Sequence, residues 1–81
     1  MKFSADVRIA LKEGIADPQG QTIQRALPAL GFDGVNDVRV GKRIELTVEA
    51  SSAEDASERV RAMCEQLLAN PVIETYEVTI Q

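Results

Sequence analysis

The stretch from Val35 to Glu49 constrains the fold more than any other part of the sequence, because its apolar residues alternate on both sides of a glycine. These alternating positions are Val38, Val40, Ile44, Leu46 and Val48. Since side chains alternate across a strand, a two-residue loop would pair Val40 with Arg43 and put a charge on the apolar face. A three-residue loop pairs Val40 with Ile44 instead. We therefore predict a β-hairpin with a three-residue connection, in which Gly41 or its neighbour takes a positive φ.

Two further segments have the period of a strand with one buried and one exposed face. Residues 2–12 alternate, and the apolar parity holds Phe3, Ala5, Val7, Ile9 and Leu11. Residues 72–80 follow the same pattern, and their apolar parity holds Val72, Tyr76, Val78 and Ile80. We predict one strand in each segment.

Residues 17–30 have the signals of a helix. Asp17 can accept hydrogen bonds from the free N–H groups of a first turn, and Pro18 suits the first helical position. One face of this helix would hold Ile23, Ala26, Leu27 and Leu30. Gly31 is the expected stop. Pro28 is expected to bend the helix, because it removes an internal hydrogen bond.

A second helix is predicted after the hairpin. Ser51 and Ser52 are each followed three residues later by an acidic residue, which is the pattern of a capping box. The apolar face would hold Ala53, Ala56, Val60, Met63 and Leu67. Asn70-Pro71 is expected to end this helix.

These elements predict the order β-α-β-β-α-β in one domain over residues 1–81. We expect an α+β fold, with an antiparallel sheet and both helices on one of its faces, close to the ferredoxin-like arrangement. A chain this short buries only about 60–65% of its unfolded surface. The hairpin or the terminal strand is therefore expected to pair with a second copy, or to be exchanged with it, in a dimer.

Composition excludes several classes of function. Thirteen acidic residues against nine basic ones give a net charge of −4, which argues against nucleic acid as a partner. No segment is long enough to cross a membrane, and no signal peptide is expected. The chain has no His, the commonest general base and metal ligand, so we expect no catalytic, cofactor or metal site. The lone Cys64 fits a cytoplasmic protein and is expected to be a buried thiol.

Six residues are candidate contacts with a partner or with another copy: Asp17, Gln19, Gly20, Arg39, Lys42 and Arg43. Gly20 in a first turn costs about 1 kcal/mol relative to alanine, which indicates that another backbone approaches it closely. Arg39, Lys42 and Arg43 would form a basic cluster beside the hairpin turn, and the Arg39 fork can bind carboxylates in pairs. The alternative interpretations are an ordinary helix start and a solvated turn.

Three segments, in this order and at this spacing, are similar to the family of PurS subunits of phosphoribosylformylglycinamidine synthase. They are Leu11–Gly20 running on to Ala26-Leu27 and Leu30-Gly31, then Val35–Lys42 with Ile44–Leu46, then Cys64–Glu74. The resemblance spans nearly the whole chain.

The resemblance implies a PurS-like fold and a role in purine biosynthesis. In that reaction, ATP and ammonia from glutamine convert formylglycinamide ribonucleotide to formylglycinamidine ribonucleotide. A synthetase subunit uses the ATP and Mg²⁺, and a glutaminase subunit makes the ammonia. The PurS-like chain would join the two and assist ammonia transfer, as a dimer or tetramer that holds no cofactor and performs no chemistry itself.

Two other functions are compatible with the predicted strand order. One is a regulatory domain of the amino-acid-binding type, which would bind a small molecule at a dimer interface. The other is a small hydrolase such as an acylphosphatase.

Overall fold

A computed structural model describes all 81 residues. Its strands and helices are β1 (Lys2–Leu11), α1 (Pro18–Ala26), β2 (Lys42–Glu49), α2 (Ala53–Met63) and β3 (Glu74–Ile80). A 3₁₀ turn over Pro28–Leu30 follows α1, and a π-helical turn over Cys64–Leu68 continues α2. The α+β class is confirmed, but the order is β-α-β-α-β with three strands, so the fourth predicted strand is wrong.

The three strands form one antiparallel sheet in the order β2-β1-β3. In the central strand, Val7 lies opposite Ile44 of β2 and Val78 of β3. The alternation predicted for residues 2–12 is confirmed, because Ala5, Val7 and Ile9 are buried on one face. Polar side chains of all three strands occupy the other face, which we call the open face.

The predicted hairpin does not form. Ile44 and Leu46 pair with Val7 and Ala5 of β1, and residues 35–41 belong to no strand. The alternation of residues 44–48 was interpreted correctly, but its partner is the longer strand far away in sequence. Val38 and Val40 were predicted as the other half of the hairpin, and that prediction is wrong.

Side chains at the start of α1 and within it accept hydrogen bonds from backbone N–H groups that a hairpin would have paired. The N–H of Val40 donates to Asp17, and the N–H of Val38 donates to Gln24. The expected positive φ at the turn is also wrong, since the left-handed residues nearest to it are Gly34 and Asp37. Gly41 instead lets the chain pass close to β1: a Cβ there would lie 2.7 Å from the carbonyl oxygen of Ile9.

The core lies between the sheet and α2. Ala56, Val60 and Cys64 are completely buried against it, so the expected buried thiol is confirmed. Leu67, predicted on the same face, is 82% exposed. The reason is the π-helical turn, which adds backbone to one turn and brings Leu68 rather than Leu67 over the core.

The N-terminus of α2 is capped much as predicted. The Ser52 hydroxyl accepts a hydrogen bond from the N–H of Asp55 at 3.0 Å. The Asp55 carboxylate accepts from the N–H of Ser51 at 2.9 Å, one residue earlier than in a standard capping box. This carboxylate also lies 3.1 Å from Arg59, one turn further along the helix.

Only α2 covers the sheet, so the prediction of both helices on one face is wrong. The sole buried residue of α1 is Gly20, and α1 makes no comparable contact with any strand. The chain measures 51 × 25 × 15 Å with a radius of gyration of 16.3 Å, whereas a compact chain of this length has about 12 Å. We call residues 18–36 the arm, and the sheet with α2 the body.

The arm contains the region that Pro28 made difficult to predict. α1 ends at Ala26, and Pro28 begins the separate 3₁₀ turn, where its missing N–H removes no helical hydrogen bond. Gly31 then adopts a left-handed conformation with φ 92°, which confirms it as the stop.

Candidate functional site

Asp17 joins the start of the arm to the chain that returns from it. Its Oδ1 accepts a hydrogen bond from the N–H of Gly20 at 2.9 Å, and its Oδ2 accepts from the N–H of Val40 at 2.8 Å. These two hydrogen bonds, with the nearby charge of Arg39, lower the pKa of the Asp17 carboxyl. Only 5% of the residue is exposed, and both of its carboxylate oxygens are hydrogen-bonded within this chain.

Gly20 has the close backbone neighbour that the sequence indicated. A Cβ on Gly20 would overlap the carbonyl oxygen of Val38. The approaching backbone belongs to the same chain, two residues from the Val40 that Asp17 binds. Gln24 adds a further contact, since its Oε1 accepts from the N–H of Val38 at 3.3 Å. Gln19 lies beside this contact with an exposed side chain.

Arg39 binds backbone rather than a carboxylate. Its Nη1 donates to the carbonyl oxygen of Ile15 at 3.1 Å, and its Nη2 donates to that of Lys12 at 3.3 Å. The side chain therefore connects the chain returning from the arm to the loop that leaves β1. The residue is exposed, so contact with a partner stays a prediction for it.

The other two basic residues, Lys42 and Arg43, contact different acidic residues. Lys42 and Arg43 are consecutive in β2 and so lie on opposite faces of the sheet. The Lys42 Nζ is 3.7 Å from a carboxylate oxygen of Glu74. Arg43 belongs to the open face, and Arg39 binds the loop after β1, so the three residues do not form one basic cluster.

Asp6 at the centre of the open face is a feature that the sequence analysis missed. It is 8% exposed, and its carboxylate lies 2.7 Å from Nε of Arg43 and 3.6 Å from Nε of Arg8. The hydrogen bond from Arg43 to Asp6 raises the pKa of Arg43. Alternation alone placed Asp6 on the solvent side, and only its position in the central strand could have indicated burial.

The arm carries four apolar side chains that the rest of the chain leaves exposed. Leu30 is 71% and Phe32 59% exposed, and Ile23 and Val35 are also exposed. Arg25 and Asp33 are the only charged residues between positions 18 and 36. We call these four apolar residues the arm surface. Ile23 and Leu30 were predicted on the apolar stripe of the first helix, and neither is part of this chain's core.

No group of three or more thiol and carboxylate side chains comes together as a metal site would require. No helix in the structure has the length and hydropathy needed to span a membrane. What the surface does offer is contact area: the exposed arm surface, and the free edges of β2 and β3.

Comparison with known proteins gives a consistent set of similarities. The sequence model of the family described as PurS, phosphoribosylformylglycinamidine (FGAM) synthase, matches residues 4–81. The chain is 46% identical to the PurS subunit of this synthase from Methanocaldococcus jannaschii, over 98% of the chain and 95% of that protein. It is 44% identical to the Bacillus subtilis subunit, over 98% of the chain and 93% of that protein.

Solved structures agree with the sequence matches. A chain in the structure of PurLQS from Thermotoga maritima superimposes with a TM-score of 0.89 at 40% identity, covering 100% of this chain and 99% of that one. The crystal structure of Methanocaldococcus jannaschii PurS gives a TM-score of 0.86 at 44% identity, covering 98% and 95%. Both likenesses extend over the arm as well as the body.

Proposed function

The chain belongs to the PurS family of subunits of phosphoribosylformylglycinamidine synthase, and from this premise we propose that it joins the synthetase and glutaminase subunits of that ligase. In this role it serves purine biosynthesis and assists the passage of ammonia from one subunit to the other. The observation that carries the proposal is the full-length match to a chain of the PurLQS structure.

The residues of the chain support a contribution through surfaces rather than through chemistry. The chain has no His, and burial raises the pKa of its only thiol, Cys64, which keeps it from being a nucleophile. The carboxylates that are buried, Asp6 and Asp17, are held by an arginine and by backbone N–H groups. We propose that ATP and Mg²⁺ bind to the synthetase subunit and that this chain supplies no catalytic residue.

Self-association is the second part of the proposal. An elongated body and arm with only 12 buried residues of 81 have little core of their own. Burying the arm surface against a second copy would remove leucine, phenylalanine, isoleucine and valine side chains from water, at about 25 cal/mol per Å² of apolar area. A dimer, or a tetramer of two dimers, would supply this cover. The free edges of β2 and β3 offer additional pairing sites.

The proposed location is the cytoplasm. Cys64 is a free thiol in the structure, which suits a reducing compartment.

Size-exclusion chromatography tests the joining role. The chain, the synthetase subunit and the glutaminase subunit are mixed with glutamine and Mg-ADP, and each pair is run as a control. The proposal expects one complex containing all three proteins, and no synthetase–glutaminase complex when this chain is left out. Equal complex formation without the chain would contradict the proposal.

A further inference from the structure

The arm is attached to the body by two connections that meet at one place. Residues 12–17 lead from β1 into α1, and residues 37–41 return from the arm to β2. We propose that the side chains where they meet form a clamp that holds the arm in one orientation relative to the body. The clamp consists of Asp17, Gly20, Gln24 and Arg39. This inference does not rest on the proposed function.

The Asp17 carboxylate is the centre of the clamp because each of its oxygens serves a different segment. Oδ1 binds the first turn of α1 through the Gly20 N–H, and Oδ2 binds the returning connection through the Val40 N–H. An ordinary N-cap satisfies only the N–H groups of its own helix. Here the same buried side chain also fixes a residue 23 positions away.

Arg39 and Gln24 add further hydrogen bonds that involve the returning connection. Arg39 reaches from the returning connection to the carbonyl oxygens of Lys12 and Ile15 in the outgoing one. Gln24 reaches from the second turn of α1 to the N–H of Val38. Arg39 therefore ties the returning connection to the outgoing one, and Asp17 and Gln24 tie it to α1.

Two glycines make the close approach possible. Gly20 faces the carbonyl oxygen of Val38, and Gly41 faces that of Ile9, and in both places a Cβ would clash with backbone. The nearest clashing atom in both places is a backbone oxygen, which cannot move aside as a flexible side chain could. The returning connection therefore packs at backbone distance against both the first turn of α1 and the end of β1.

The clamp matters because α1 has little else to hold it. A helix of nine residues is marginal in water, and α1 makes no substantial contact with the sheet or with α2. Its order and direction must therefore come largely from the clamp. The arm surface would then be presented to any partner in one fixed orientation, which lowers the entropy lost on binding.

Amide hydrogen exchange of the full chain tests the clamp, with all variants compared at one concentration. In Asp17→Ala we expect fast exchange at Gly20 and Val40 and through the rest of α1, while β1 and α2 keep their wild-type protection. Ser52→Ala is the matched control, since it removes the N-cap of α2, which binds no second segment. We expect it to lower protection by about fivefold in the first turn of α2 only.

Gly20→Ala gives a second test, because helix propensity and the clamp predict opposite changes in the hydrogen-exchange protection of α1. Helix propensity alone would make α1 more protected, because alanine is the better helix former. The clamp predicts faster exchange in α1 and at Val38 and Val40, because the new Cβ forces the two segments apart. Gln19→Ala, at the neighbouring exposed position, should exchange like wild type.

Wild-type protection of α1 in Asp17→Ala, or increased protection in Gly20→Ala, would overturn the inference. It would also be overturned if the wild-type arm already exchanged like an unfolded peptide. If Asp17→Ala lost protection in β1 and α2 as well, Arg39→Ala and Gln24→Ala would decide, since both side chains are at least partly exposed. Loosening of the arm alone in these variants supports the clamp, and uniform loss across the chain contradicts it.

Discussion

At the scale of single residues, the Asp17 carboxylate holds two segments of the chain together, because it accepts hydrogen bonds from the N–H groups of Gly20 and Val40. The sequence correctly indicated that Asp17 starts a helix, since a helix cap depends on the residues next to it. The second hydrogen bond, to Val40, depends on a segment 23 residues away. No local pattern contains that information, so the sequence also placed Val40 in a strand that does not form.

Acid should loosen this contact only below the usual pKa of an aspartate side chain. The pKa of Asp17 is lowered in the folded chain by the Gly20 and Val40 N–H groups. Its contribution to stability is therefore fully present above the ordinary value of about 3.9 and is lost as the pH falls through the lowered value. Titration of the Asp17 carboxyl carbon by NMR should show a midpoint below about 3.9. A midpoint at or above that value would contradict this assignment.

At the scale of elements, residues 44–48 show that a sequence pattern can predict a strand without predicting its partner. Residues 44–48 alternate because they form an antiparallel strand, and that inference was correct. The choice of partner was not, since β1 supplies a longer apolar strand whose buried face α2 covers. Gly20 was the candidate contact whose geometry the sequence predicted best, because a glycine in a first turn weakens the helix and yet leaves room for a second backbone.

The side chains that α2 and its π-helical turn direct towards the core give a prediction about stability at this scale. Val60→Ala should destabilise the chain by about 2 kcal/mol, because it removes two buried methyl groups and leaves a cavity. Leu67→Ala, the control, should change stability by about 0.5 kcal/mol or less, because that side chain is 82% exposed. Urea unfolding at one protein concentration measures both. A larger loss of stability for Leu67→Ala would show that the π-helical turn does not keep this side chain out of the core.

At the scale of the whole molecule, the arm has an apolar surface that the sequence could not assign to the core or to an interface. Its apolar stripe was expected to pack against the sheet, yet Ile23 and Leu30 are exposed. Periodicity indicates which side chains share a face, but it does not say whether the same chain or another one covers them. The resemblance to a family of subunits supplied that missing information.

The arm surface should be needed for self-association. Leu30→Asp and Phe32→Ser should weaken it, because each replaces an exposed apolar side chain with a polar or charged one. Val72→Ser is the control, since Val72 is more exposed than either residue but lies outside the arm. Light scattering across a dilution series measures the assembly. Unchanged assembly of both arm variants, or a monomeric wild type at micromolar concentration, would contradict the proposed self-association.

The most direct test of the proposed role compares two nitrogen sources in the reconstituted synthase. Formylglycinamidine ribonucleotide synthesis is measured with the synthetase and glutaminase subunits, with and without this chain, using either glutamine or free ammonia. If the chain joins the two subunits and performs no chemistry, the glutamine-dependent rate should require it and the ammonia-dependent rate should not change. A glutamine-dependent rate that is the same without the chain would contradict the joining role, and an ammonia-dependent rate that requires the chain would show that it takes part in the chemistry.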